Sequence, residues 1–267
     1  NELRFKDFTE NSDFSFLKYD TLISNKTSLE WFKKQNNLIR NYMNVGTLTS
    51  NSVDQFKRQK FKKKIYKSNI LKSLKIKNLK FMKLIDTKRK IVSFFDQQTG
   101  WGGMMNEEDL SEYLDSFFEI VNKFHNINFI FKSKFSSVIF KKMLKEKLLK
   151  KKINDNFIIF SYNEINTYEL IAMSDMVISC PHSSIVDESL SSNIKTYIYD
   201  PSNTYSSKNF WYNRINSLRI NKKKNLIKKI ELLQNNELTN KNNFKYAKIM
   251  NINLNYNYLE KVVRAFE

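Results

Sequence analysis

Two hydrophobic patterns take turns along the chain from Lys90 to Tyr199: short unbroken apolar runs, and longer stretches with apolar residues every third or fourth position. An unbroken run of strand length predicts a strand buried on both faces, and the helical spacing predicts an amphipathic helix. Strands are expected at Ile91 to Phe95, Phe129 to Phe131, Phe157 to Phe160, Met176 to Ser179 and Thr196 to Tyr199. Helices are expected at Asn106 to Phe124, Ser136 to Lys152, Thr167 to Met173 and Ser184 to Ser192. In the second helix Val138, Phe140, Met143, Leu144, Leu148 and Leu149 make the expected apolar stripe. Strands and helices in alternation predict an α/β fold, a Rossmann-like parallel sheet of about five or six strands flanked by helices. Right-handed crossovers then place every strand's carboxyl end on one edge.

Upstream, a strand at Thr21 to Ser24, a helix at Ser28 to Ile39 and a strand at Tyr42 to Val45 make one β–α–β step. That is too little to bury a core alone. Residues 1–50 therefore read as the tail of an N-terminal domain, 51–89 as a basic linker or helix, and 90–267 as the main domain with C-terminal helices. Two apolar stripes in the tail, one at Leu226, Ile227, Ile230 and Leu233 and one at Tyr258, Leu259, Val262 and Val263, predict those helices. Between Phe56 and Lys90 the chain is dense in lysine, with Asp86 as the one acid and apolar residues at irregular spacing. Such a run is a solvated linker or a segment that meets an anionic membrane surface.

The formal charge of +19 changes this picture little. With only four glycines and two prolines, the composition looks like the coding bias of an AT-rich genome, so nucleic acid is not the expected partner. One cysteine cannot form an internal disulfide, and with two histidines it makes no zinc site, so neither metal nor cofactor is expected. No apolar run reaches about 18 residues, which predicts a cytoplasmic protein whose membrane role would be peripheral contact at the inner membrane.

The candidate chemistry gathers after the predicted strands. Gly100, Gly102 and Gly103, with Thr99 and Trp101, follow the first strand, where a glycine-rich turn lets backbone approach a ligand. The spacing is neither GxGxxG nor a Walker loop, and Glu107, Glu108 and Asp109 would compete with a phosphate at the next helix. Lys132 ends the second strand, well placed for a phosphate, and Tyr162 after the third offers a stacking surface for a base. After the fourth come Cys180, Pro181, His182, Ser183 and Ser184. Ser184 and Asp187 have the form of a capping box. Glu188, on the helical face of Ser184, can accept two hydrogen bonds from a ribose diol while the serines and helix N–H groups hold phosphates. His182 could hydrogen-bond a phosphate, or act as a cation if its pKa is raised. Cys180 reads as a small buried residue.

Ser183, Ser184, Glu188, Ser189 and Leu190, followed by the strand at Thr196 to Tyr199, resemble a pattern of B-type glycosyltransferases. The glycine loop and the basic residue ending the second strand add to it. The chain is similar to their C-terminal, donor-binding half, as in bacterial capsule or lipopolysaccharide sugar transferases and polyol-phosphate transferases. Asn193 and Thr196 stand where the family has glycine and proline. The resemblance implies transfer of a sugar from a nucleotide-sugar to a surface-glycan or lipid-linked acceptor. Glu188 would hold the ribose, Ser183, Ser184 and the Thr99-to-Gly103 loop the diphosphate, and Lys132 or His182 the leaving phosphate. The catalytic base would lie in an acceptor domain mostly absent from this chain. Two alternatives remain: a UDP-sugar 2-epimerase-like enzyme on the same architecture, and a basic membrane- or nucleic-acid-binding module centred on Phe56 to Lys90.

Overall fold

Strands that are apolar on both faces need cover on both faces, and the chain supplies it by returning to the sheet through a helix after nearly every strand. The computed structural model describes residues 18–24, 38–44, 89–97, 105–134, 138–150, 156–161, 164–203 and 211–254, with a few single positions between 26 and 57 and at 154. Strands β1 (Lys18–Ser24) and β2 (Leu38–Asn44) form a parallel pair of their own. The main sheet holds β3 (Lys90–Phe95), β4 (Ile127–Lys132), β5 (Phe157–Phe160), β6 (Met176–Ser179), β7 (Lys195–Tyr199) and β8 (Arg219–Ile220). All are parallel, in the order β5-β4-β3-β6-β7-β8. The chain builds outward from β3 to β5 and then crosses back to lay β6 against β3. Connections leave these two central strands in opposite directions, which opens a crevice at their carboxyl ends.

Helices α1 (Glu107–Lys123), α2 (Val138–Lys150), α3 (Thr167–Met173), α4 (Ser184–Ser191), α5 (Lys223–Gln234) and α6 (Lys241–Met250) pack around the sheet. The strand period of two divides the core. Val92, Phe94, Phe129, Phe131, Met176 and Ile178 join α1 and α5 on one side. Phe95, Ile130 and Val177 join α3 and Val53 on the other, and Ile198 joins α4, α6 and the 3-10 turn Trp211–Arg214. The side chain of Asn44 donates to the Met250 carbonyl at 2.9 Å, so the end of β2 contacts the main domain.

Two expectations need correction. The upstream helix does not run to Ile39, because β2 already begins at Leu38. The stripe predicted on α2 is only partly buried: Phe140 is covered, but Val138 and Leu149 are 83% and 78% exposed. Lysines share that face, and the helix lies toward the end of the sheet closed by the edge strand β5, where little remains to cover it. The basic run at 58–88 and the stripe from Tyr258 to Val263 lie outside the described residues. No helix among the described residues is long and apolar enough to cross a membrane.

Candidate functional site

A cavity of about 520 Å³ opens over the carboxyl ends of β3 and β4 and is lined by Phe95, Asp96, Lys132, Lys134, Ser183, Ser184 and Glu188, with residues 165–168 and Ile185. Of the helices that begin on this side of the sheet, α1, α3 and α4 have first turns that differ in a way that selects one of them. At α1, the Asn106 side chain already caps the Asp109 N–H at 2.7 Å, and Glu107, Glu108 and Asp109 make the turn acidic. At α3, Asn166 caps Tyr168 and Glu169. At α4, Ser183 sits in the cap position with extended backbone but its hydroxyl makes no capping bond. The acid of that first turn, Asp187, receives the Tyr246 hydroxyl at 3.0 Å from α6 and is drawn off the cavity side. Helix α4 thus presents uncapped N–H groups and two serine hydroxyls to the cavity, an arrangement suited to an anion.

The expected capping box is therefore not formed: Ser184 is the first helical residue, and Ser183 precedes it. Glu188 lies one turn deeper, buried and lining the same cavity, as its spacing from Ser184 requires. Its charge helps hold the Lys134 ammonium against the desolvation that lowers its pKa. Lys134, not Lys132, is the lysine whose side chain reaches the solvent side of the cavity. Lys132 is buried on the floor, its Nζ donating to the Ile165 carbonyl at 2.8 Å, and burial lowers its pKa although Asp96 pulls the other way.

Asp96, just past β3, is pushed up to about 7 by burial, which outweighs its hydrogen bonds from the Ser133 hydroxyl, at 2.8 Å, and the Lys134 N–H. The Tyr113 hydroxyl from α1 reaches the Phe95 and Ile178 carbonyls at 3.2 and 3.3 Å, bracing the crevice from below. Cys180 beside it is buried, and burial raises its thiol pKa well above the ordinary range, so it is an unreactive core residue.

His182 departs from its expected role as a cation. Burial pushes its pKa down to about 4, so the imidazole is neutral at physiological pH, edge-on to Tyr212 with Nε2 3.3 Å from that hydroxyl. Its backbone is left-handed, with φ of 58°, a conformation costing roughly 1–2 kcal/mol for most residues. The loop from Thr99 to Gly103 and Tyr162 lie outside the described residues. Asp96, Gln97, Asn166 and Tyr168 join the site without having been singled out in the sequence. Asn166 carried a signal, since Asn-Thr-Tyr-Glu has the form of a helix start.

The fold and this edge define a Rossmann-like half of the two-domain, B-type architecture. The chain belongs to the polysaccharide biosynthesis PFTS motif protein family, which it matches over residues 5–226. No curated protein matches the chain significantly. Among solved structures, the wall teichoic acid polymerase TagF is similar at a TM-score of 0.56 and 14% identity, over 87% of this chain and 53% of that one. Its H444N variant gives 0.57 and 13%, over 87% and 53%. UDP-GlcNAc 2-epimerase from Neisseria meningitidis, bound to UDP-GlcNAc, gives 0.52 and 14%, over 84% and 54%. The chain thus spans about half the length of these structures.

Proposed function

We propose that this chain is the donor-binding half of a glycosyltransferase that moves a sugar from a nucleotide-sugar to a surface-glycan or lipid-linked acceptor. The observation that carries the reading is the uncapped start of α4, with Ser183 and Ser184 on the cavity and Glu188 buried one turn behind. In this reading the Glu188 carboxylate accepts the ribose hydroxyls, and the α4 N–H groups and both serines hold the diphosphate. As the glycosidic bond breaks, charge grows on that diphosphate, and donors already aimed at it stabilise the transition state without reorganising. Lys134 adds a positive charge at the rim, and His182 serves as a neutral hydrogen-bonding group. Membership in a polysaccharide biosynthesis family and a fold shared with TagF support this reading.

Calorimetry with UDP, CDP and CMP tests it. Replacing Glu188 with alanine should cost at least about tenfold in affinity, as expected for a lost hydrogen bond to a charged group. Unchanged affinity for every nucleotide would sink the assignment. The epimerase alternative draws on the second carboxyl of the cavity, Asp96, but both its oxygens are occupied by Ser133 and Lys134. Assaying for a released, epimerised sugar against a glycosidic product separates the two.

A further inference from the structure

We propose that Gln97 is a positioning residue: its side-chain amide holds the turn at residues 181–184 in shape and ties that turn to Lys134 across the sheet edge. The proposal rests on the nucleotide-site reading for its functional consequence, but its geometry stands apart from it. Among the described residues five non-glycine positions have positive φ, and four are asparagines, which tolerate that geometry; His182 is the exception. The Gln97 amide donates to the His182 carbonyl at 2.7 Å, and the Lys134 ammonium donates to the Gln97 amide oxygen at 2.8 Å. An ammonium only donates and a carbonyl only accepts, so the residue between them must do both, and an amide does. Glutamate would keep the Lys134 contact and lose the one to His182, and methionine would lose both without adding charge.

Gln97 is nearly buried, so leaving its amide without partners would carry a desolvation cost. The backbone N–H of Lys134 also donates to Asp96, which anchors the lysine end of the strut to the end of β3. A ligand phosphate that draws on the Lys134 ammonium would therefore act on the turn that presents Ser183 and Ser184. The strut links the carboxyl ends of β3, β4 and β6.

Hydrogen exchange on the full chain, without ligand, reads the strut directly. Gln97→Met and Gln97→Glu should each speed exchange of the Val186 amide, which donates to the Ser183 carbonyl at 3.1 Å, about tenfold, with the peptide over β4 unchanged. Unchanged exchange at Val186 in both variants overturns the proposal whatever the nucleotide result. Calorimetry with UDP and CDP then reads the consequence: Gln97→Met should weaken binding about tenfold, and placing asparagine at His182 in that background should recover part of the loss. If the wild-type chain binds nucleotide and Gln97→Met binds equally well, the positioning role falls while the nucleotide reading stands. Nucleotide binding absent from the wild type overturns that reading instead, and the exchange result still decides the strut.

Discussion

Strand β3 enters two regions within four residues, and they are built on opposite terms. Phe94 points into the α1 face, where Phe117 alone meets the rings of Phe94, Phe118, Phe129, Phe131 and Phe157 at centroid distances of 5.1 to 6.5 Å. Asp96 and Gln97 lie at the carboxyl edge, where positions are held by directional polar bonds, among them those to Ser133, Lys134 and the His182 carbonyl. The aromatic face is redundant, since each ring touches several others. The edge has no such reserve, because a buried polar group that loses its partner keeps its desolvation cost. It also stores strain at His182 and leaves the α4 start uncapped, both of which oppose stability. The face is therefore organised for folding and the edge for a ligand.

The contrast breaks most visibly if the face is damaged. Phe117→Ala should destabilise the chain by about 3–5 kcal/mol through lost packing and a residual cavity. Nucleotide affinity of the folded protein, measured at low temperature, should stay within about twofold, because neither Phe117 nor any of these ring partners lines the cavity. A large affinity loss at unchanged stability would show that the two regions are not separable. Tyr113 sharpens the comparison because it belongs to both, with its ring against Phe94 and Phe131 and its hydroxyl under the edge. Tyr113→Phe keeps the ring and should cost about 1 kcal/mol in a denaturant titration. Because the lost bonds reach the Phe95 and Ile178 carbonyls, hydrogen exchange should quicken at the ends of β3 and β6 and not within α1.

The same division decides what could be read from the sequence. Strands β5 and β6 and helix α3 have the predicted limits because Asn166 and Ser174 mark the helix ends with local polar residues. Strand β8 was not predicted because two residues carry no periodic pattern. Helix α6 falls within the tail expected to be helical, but its limits carry no apolar stripe because its sequence is mostly polar, and only Asn242, Asn243, Tyr246 and Met250 among its residues are buried. The α4 cluster of Ser183, Ser184 and Glu188 was legible, since its members lie within one helical turn and a half. Asp96 and Gln97 were not: their partners Ser133 and His182 lie 37 and 85 residues away, and nothing local in Asp-Gln-Gln announces a buried carboxyl or a strut. Lys132 and Lys134 exchanged roles for a related reason. Alternation along an extended chain points both the same way, so burial of one and not the other depends on the Ile165 carbonyl from a later loop.

The smallest predicted effect is also the most discriminating, since Asp96 and His182, whose pKa values burial moves furthest across the range from about 4 to 7, both lie at the edge. Asp96 has a folded pKa of about 7 against an ordinary 3.8, so between those values the folded chain holds a proton that the unfolded chain has lost. Its contribution to stability is full below about 3.8 and is lost as pH rises through about 7. His182 runs the other way: its folded pKa of about 4 lies below the ordinary 6.5, so the unfolded chain binds the extra proton and stability falls as pH drops through that window. The two slopes oppose each other between about 4 and 6.5 and partly cancel in the wild type. Removing either group should unmask the other. Relative to wild type, the melting temperature of Asp96→Asn should rise with pH across the range from about 4 to 7, and that of His182→Phe should fall from about 4 to 6.5. Phe117→Ala should differ from wild type by an amount that does not change with pH between about 4 and 7, because the ring partners of Phe117 are phenylalanines and burial raises the pKa of nearby Tyr113 well above the ordinary 10.0. Parallel profiles for all three variants would mean that the edge is electrostatically no different from the face, and the division drawn between them would not hold.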